Sequence, residues 1–370
     1  MALVVEVPER RADLAALIRL HDTVHAARRA RWAPEPSIEL PLLTGESPFA
    51  ADRRLRPFVA HEDGRLVARA VAVVDERYNR HWNENIGHVI LFEAEASAHD
   101  ATRAVLDAAC AWLARERVTA ARIGFGVFDF PFVSDAYDPL PPSVLRHNPP
   151  EYHEHLKDAG FVPERRFVDY KLAVTTPLIA RWEAMAEAGR RAGFDLVWLR
   201  DVPFERRAPD LHLVWDDAFR AHWGYTPFSE DELSLVIASL TPAGMLDCSV
   251  LAYRDGEPMG ALWLVPETSA HAVLAPGHRL GADERLNTLA IAVREPARRQ
   301  GLNVAMAARG YLELVRHGAR FLSYTLVLDD NWPSRRTAEK LGATVCASYV
   351  AYRRELGCSS VSARGRARPT

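Results

Sequence analysis

Lysine is almost missing from this 370-residue chain. Only Lys157, Lys171 and Lys340 occur, so nearly every cation is arginine, which reads as a coding bias rather than a functional signal. A basic excess is missing too. The formal net charge of −3 and a pI of about 6.5 give no global positive field. That argues against nucleic acid or an anionic membrane surface as partner. Cysteine is sparse: Cys110, Cys248, Cys346 and Cys358, none at a C-x-x-C spacing. They read as reduced thiols, with no disulfide framework and no zinc knuckle. No apolar run approaches the ~20 residues of a membrane helix. The first residues carry Glu6 and no apolar stretch of signal-peptide length. A cytoplasmic protein is expected. Familiar catalytic strings are also missing. Gly124-Phe125-Gly126 lacks the third glycine and the following helix of a dinucleotide loop, and there is no Walker loop. His153 and His155 stand at i, i+2 and face different sides of a helix, so no metal is expected there. No hydrolytic triad follows from spacing.

What is present is an ordinary globular composition, 48% hydrophobic and 26% charged. The length favours two domains. The first half reads as a strand at 3–7 and a helix over 9–29. A Pro-rich connection leads to a hairpin, 56–60 and 66–74, that turns at Asp63-Gly64. A polar aromatic loop at 77–87 precedes a strand at 88–95. Its Tyr78, His81 and Trp82 fit a pocket wall or a surface equally well. A helix at 99–116 and a buried strand at 120–128 come next. An irregular stretch, a short helix at 151–160 and a strand at 165–174 complete the half. The second half repeats this order. A strand at 195–200 is followed by helices at 204–222 and 229–239. The second of these opens on Ser229 with Glu232 at capping-box spacing. A hairpin follows, 247–254 and 257–265, turning at Asp255-Gly256. Then come a strand at 286–293, a helix at 304–316, a strand at 321–328, a helix at 332–341 and a strand at 344–356. The tail after 357 reads as disordered.

The matching Asp-Gly hairpins suggest an internal duplication. So does an Asn, short helix and Gly in each half, Asn148 to Gly160 and Asn331 to Gly342. A repeat of ~190 residues is domain-sized, not a solenoid. The expected units are 1–175 and 176–357, with a disordered tail at 358–370.

One loop carries chemistry. Arg298-Arg299-Gln300-Gly301-Leu302-Asn303 joins the strand ending at Val293 to the next helix. A helix N-terminus leaves backbone N–H groups open and carries roughly half a positive charge. Glycine permits close approach of an anion, and two arginines add charge. A diphosphate there could gain several charge-assisted bonds of about 1.5–3 kcal/mol each. As a string the motif is weak. Its weight comes from the strand before it and the helix after it. The matching linker of the first half, EASAH, has neither Gly nor Arg.

The strand–helix order of the second half, V-x-x-x-x-R-x-x-G-x-N at 293–303, and Asn331 with Lys340-Leu341-Gly342 resemble the GCN5-related N-acetyltransferase (GNAT) superfamily. The family loop is Q/R-x-x-G-x-G/A, so Asn303 departs from it at a point where a side chain takes up room near a pyrophosphate. The resemblance is clearest over 195–355, and in the first half it rests on element order. The whole chain is similar to a group of long bacterial tandem-GNAT proteins, including around 222–227 (HWGYTP) and 148–152 (NPPEY).

The resemblance implies an α/β (α+β) fold. It has two tandem GNAT-like domains, each a mixed twisted sheet flanked by helices. It further implies that acetyl-CoA binds the second domain only. The cofactor contacts would come from Ile291, Val293, Arg298, Arg299, Gly301, Leu302, Asn303 and Asn331. Ile291 and Val293 would offer backbone groups to the pantetheine arm, and Asn331 doubles as a helix cap. The family's usual acid, a Tyr seven residues past that Asn, is Ala338 here. Tyr324 and Tyr349 are the candidate acids. Glu284 and His222 are the candidate bases. The stretch from His222 to Phe228 suits an acceptor pocket or a plain helix connection. The expected reaction is acetyl transfer to the primary amine of a small molecule by direct attack, with a homodimer as the candidate assembly. An aminoacyl-tRNA donor and a catalytically silent binding module are the alternatives.

Overall fold

The computed structural model describes residues 2–28, 31–142, 145–266, 274–277, 287 and 289–357. Glu284 and the tail at 358–370 lie outside the described residues. Among those described, the first half runs β1 (Leu3–Glu6), α1 (Arg11–Val24), α2 (Pro36–Thr44), β2 (Arg53–Glu62), β3 (Arg65–Asp75), α3 (Glu76–Trp82), β4 (Ile86–Ala94), α4 (His99–Arg115), β5 (Ala120–Ile123), β6 (Phe132–Val133), α5 (Tyr152–Asp158) and β7 (Val162–Ala173). The second runs α6 (Thr176–Arg191), β8 (Asp195–Trp198), α7 (Phe204–Phe219), α8 (Glu230–Leu240), β9 (Val250–Arg254), β10 (Glu257–Leu264), β11 (Leu289–Val293), α9 (Leu302–Arg316), β12 (Phe321–Leu328), α10 (Trp332–Leu341) and β13 (Thr344–Glu355). No helix among the described residues is long and apolar enough to cross a membrane.

Local chemistry accounts for most of these elements. Both hairpins turn on Asp-Gly with the Asp in the left-handed region, φ 49° at Asp63 and 52° at Asp255, the conformation that matches strand twist. Several elements differ from expectation. The Pro-rich connection contains α2, with Pro36 in the first turn, where its missing N–H costs nothing, and Pro41 inside. The loop at 77–87 contains α3, because Asp75 caps it by accepting from the Tyr78 N–H at 2.9 Å. The stretch after Thr175 is α6, packed on the second core through Trp182. The strand at 120–128 stops at Ile123, because Gly124 takes φ 82°.

The sheets show how the halves are joined. One sheet runs β1-β2-β3-β4-β5-β13-β7-β12, with β6 also on β13; the other runs β11-β10-β9-β8. Thus β13, the last strand of the second half, lies between β5 and β7 of the first. In turn β7 lies between β13 and β12 of the second half. Each half surrenders its final strand. The cores record the exchange: Val350 and Tyr352 pack in the first core, Tyr170 and Leu172 in the second.

A buried charge network also ties the halves. Glu232 has no solvent exposure and closes its own capping box with Ser229. The same carboxylate accepts from Arg53 at 2.6 Å and Arg77 at 2.5 Å, both from the first half. Arg53 also bonds Asp75 at 2.7 Å. Nearby, Trp82 donates to the Tyr225 carbonyl at 2.7 Å and the His81 ring meets the Arg220 carbonyl at 2.7 Å. Tyr78 is buried against Arg122. His81 and Trp82 are therefore joints between the halves, and Tyr78 is a core residue of the first.

Candidate functional site

The second half contains an open V. Strands β11 and β12 end different sheets and share no ladder. At one end they are tethered: the Ser323 N–H donates to Asn287 Oδ1 at 2.8 Å. Toward Val293 both strands line one cleft, through Ile291 and Val293 and through Tyr324 and Leu326. The Arg294 N–H donates to the Met259 carbonyl on β10 at 2.9 Å. Backbone groups alternate along a strand. The N–H and C=O of Val293 and Ile291 therefore point away from β10, into the V. The Val293 carbonyl accepts from Arg298 Nε at 3.2 Å, so the loop folds back over the strand end.

The α9 N-terminus stands at the mouth of the V. Gly301 is its N-cap, with φ 77° and no side-chain cap on the terminal N–H groups. A Cβ built at Gly301 would meet nothing within 4 Å, so the space above the helix end is open. Arg299 is also left-handed, φ 63°. Alternating conformations of this kind turn successive N–H groups toward one point, an anion-binding concavity. Leu302 is buried beneath and anchors the first turn. Asn303 does not crowd the opening. Its Nδ2 donates to Thr337 Oγ1 on α10 at 2.8 Å, which clips the two helices together.

A polar chain continues along α10. Asn331 caps that helix by accepting from the Ser334 N–H at 3.3 Å. Ser334 Oγ lies 3.0 Å from the Tyr324 hydroxyl. Burial raises the Tyr324 phenol to about 12, so it holds its proton at neutral pH. Ser334 and Thr337 were not singled out in the sequence. Their signal was their spacing, three residues apart on the helix that Asn331 opens.

Tyr324, Asn331, Ile291, Val293, Arg298, Arg299, Gly301, Asn303 and His222 all line one cleft of about 2060 Å³. His222 is half-buried, and its Nδ1 faces the Trp223 carbonyl at 3.2 Å. That contact assigns the proton to Nδ1 and leaves Nε2 as a free lone pair. Burial lowers the ring below the ordinary imidazole value, so it is neutral at pH 7. The first half supplies the opposite wall through Trp32, Phe49, Phe128 and Arg146. Phe49 meets Phe128 at 4.5 Å and Phe228 at 6.2 Å, an aromatic bridge between the halves. Tyr349 stands apart. It is 2% exposed in a core cluster with Val133 and Phe167, because exchange of β13 carries it into the first half.

The first half contains the same V, filled. Strands β4 and β5 pair in parallel over 86–89 and 120–123 and then part. The Glu95 N–H points to β3, so Ala94 and Phe92 turn toward the gap. Their groups are already bonded. Arg146 donates to the Phe92 carbonyl at 2.7 Å and to Asp129. The Tyr152 hydroxyl accepts from the Ala94 N–H at 2.7 Å. The chain's own side chains thus bond this edge at both residues, whereas in the second half Arg298 holds the Val293 carbonyl.

No family model matches this chain, and no match is found among curated proteins. Solved structures do match over nearly its whole length. A tandem GNAT protein from the clavulanic acid biosynthesis pathway aligns with TM-score 0.59 and 12% identity, over 96% of this chain and 99% of its own. A GCN5-related N-acetyltransferase from Sphaerobacter thermophilus aligns with TM-score 0.52 and 13% identity, over 96% of each chain. A probable N-acyltransferase from Enterococcus faecalis V583 gives TM-score 0.54 and 9% identity, over 97% of this chain and 74% of that one. At such identities the likeness establishes the fold: this chain has the tandem GNAT architecture.

Proposed function

We propose that the second half is an acyl-coenzyme A-dependent N-acyltransferase, with acetyl-CoA as donor and the primary amine of a small molecule as acceptor. The observation that carries this is the contrast between the two Vs. One is filled by Arg146 and Tyr152; the other is open and leads to an uncapped helix end beside two arginines. In the open V, backbone groups of Ile291 and Val293 bond the pantetheine arm as an added strand would. The N–H groups of the first α9 turn, with Arg298 and Arg299, take the pyrophosphate. Asn331 and Asn303 hold α10 against that end.

The amine nitrogen attacks the thioester carbonyl, the C–S bond breaks and coenzyme A leaves as thiolate. His222 Nε2 takes the proton that the amine must lose, and the Tyr324 phenol gives one to the thiolate sulfur. Positioning of the two substrates in one cleft supplies most of the rate. The test is release of coenzyme A thiol from acetyl-CoA across a panel of small primary amines. Amine-dependent release supports the reading. Tight coenzyme A binding without release for any amine would favour a silent binding module instead.

A further inference from the structure

The wall of the cleft built by the first half holds a second cluster that the proposed reaction does not use. His21 lies in the last turn of α1 and His25 is the residue that caps its C-terminus, four positions on. Both meet Glu93 on β4: His21 Nδ1 at 2.9 Å from Oε1, His25 Nε2 at 3.2 Å from Oε2. His25 is fully buried and Glu93 is 7% exposed. The ligand-capable atoms of the three residues all lie within 4.8 Å of one another. The Tyr152 hydroxyl donates to Glu93 Oε2 at 2.7 Å and fixes the carboxylate.

Hydrogen bonding alone satisfies His21 fully in only one of its protonation forms. His21 faces oxygen acceptors on both sides, Glu93 through Nδ1 and the Trp32 carbonyl through Nε2 at 3.1 Å. A neutral imidazole has one N–H and makes one of these contacts; an imidazolium makes both. A metal ion on Nδ1 lets a neutral ring serve both sides, because Nε2–H then donates to the carbonyl. Metal-bound imidazoles are commonly held in this way. A second observation points to the same place. Among the described residues, His25 Nδ1, His147 Nδ1, Glu39 Oε2 and Arg69 Nε are buried and make no hydrogen bond. Glu39, Arg69 and His147 line the cleft together with His21 and Glu93. Buried polar atoms are nearly always bonded, so a concentration of unbonded ones marks a place where an ion or ordered water completes the bonding, beside the Glu39–Arg69 ion pair.

We infer that His21, His25 and Glu93 form a site for one divalent transition metal of the zinc type. Two imidazoles and a carboxylate suit a borderline ion; magnesium and calcium prefer oxygen ligands throughout. Three protein ligands leave a coordination position open, as in sites that bind a further group and unlike closed structural sites. His21 and Glu93 line the cleft, so the open position is reached from it. This site lies in the half whose V is filled. It is independent of the acyl-coenzyme A reading, and its test involves no acyl transfer.

Full-length protein is stripped with EDTA, dialysed and titrated with Zn²⁺ by calorimetry, with Co²⁺ followed in parallel by visible absorption. The expected result is one equivalent bound, with Co²⁺ d–d bands of a nitrogen and oxygen ligand set. Glu93→Gln and His21→Ala should each weaken binding by about 100-fold or more. Tyr152→Phe, which removes the donor to Glu93 and also the acceptor of the Ala94 N–H, should weaken it by about 10–100-fold. Circular dichroism checks that each variant folds. His21, with 17% of its side chain exposed, carries the test if Glu93→Gln does not fold. No stoichiometric uptake by the wild type, or uptake unchanged in a folded His21→Ala protein, overturns the site.

Discussion

The Arg146 guanidinium donates to the Phe92 carbonyl at 2.7 Å, across the gap where β4 and β5 part. In the second half the residue at the same point of the repeat is Ile291, whose backbone turns into an open V. One arginine thus separates a sheet edge already bonded from one still available.

Arg146 is also the partner of Asp129, a carboxylate that is 2% exposed. Arg146→Ala leaves that charge buried and unpaired. Breaking a buried pair in this way costs about 3–5 kcal/mol. Urea unfolding should show a loss of that order. The variant should gain no second coenzyme A site, because the EASAH linker still lacks a phosphate cradle.

Glu232→Ala should be comparably destabilising. It strips a helix cap and removes one of the two carboxylates that pair with Arg53, whose side chain is 3% exposed. The loss, read as a lowered denaturation midpoint, should appear in one cooperative transition, since the network spans both halves.

Deleting β13 should do more than trim the second half. It removes the strand between β5 and β7 and exposes the edges of both. A chain ending at residue 343, and a fragment of residues 1–175, should each lack the dispersed NMR spectrum of a folded monomer. A well-folded monomeric 1–175 fragment would contradict the exchange.

Two substitutions test the proton transfers. Tyr324→Phe and His222→Gln should each lower the acyl-transfer rate by about 10²–10⁴-fold, the usual size of a general acid or base contribution. Burial depresses the His222 ring, so its basic form is populated above a value lower than 6.5. The rate should therefore fall on the acid side of that point, and His222→Gln should lose that limb.

Much of this fold was legible because its signals are local. β12 and α10 fall at the residues expected, each bounded by a cap or a turn. The Asp-Gly hairpins and the Ser229 capping box carry their own geometry. What was not legible is non-local. Nothing in the 344–355 strand says whether it closes its own half or the other. Nothing in the irregular stretch around Arg146 says that its guanidinium reaches into β4. The loop at 298–303 was legible as the glycine-led start of a helix beside two arginines. Its odd residue, Asn303, became intelligible only with Thr337 beside it.

The central claim is that one V of two accepts the donor. Calorimetric titration of the full-length protein with acetyl-CoA, alongside Gly301→Glu, tests it directly. Glutamate there would strain a left-handed position, φ 77°, and put a carboxylate at the helix end. The account predicts one molecule bound per chain and no measurable binding by a folded Gly301→Glu protein. No binding by the wild type, two molecules per chain, or unchanged binding by the variant would contradict it.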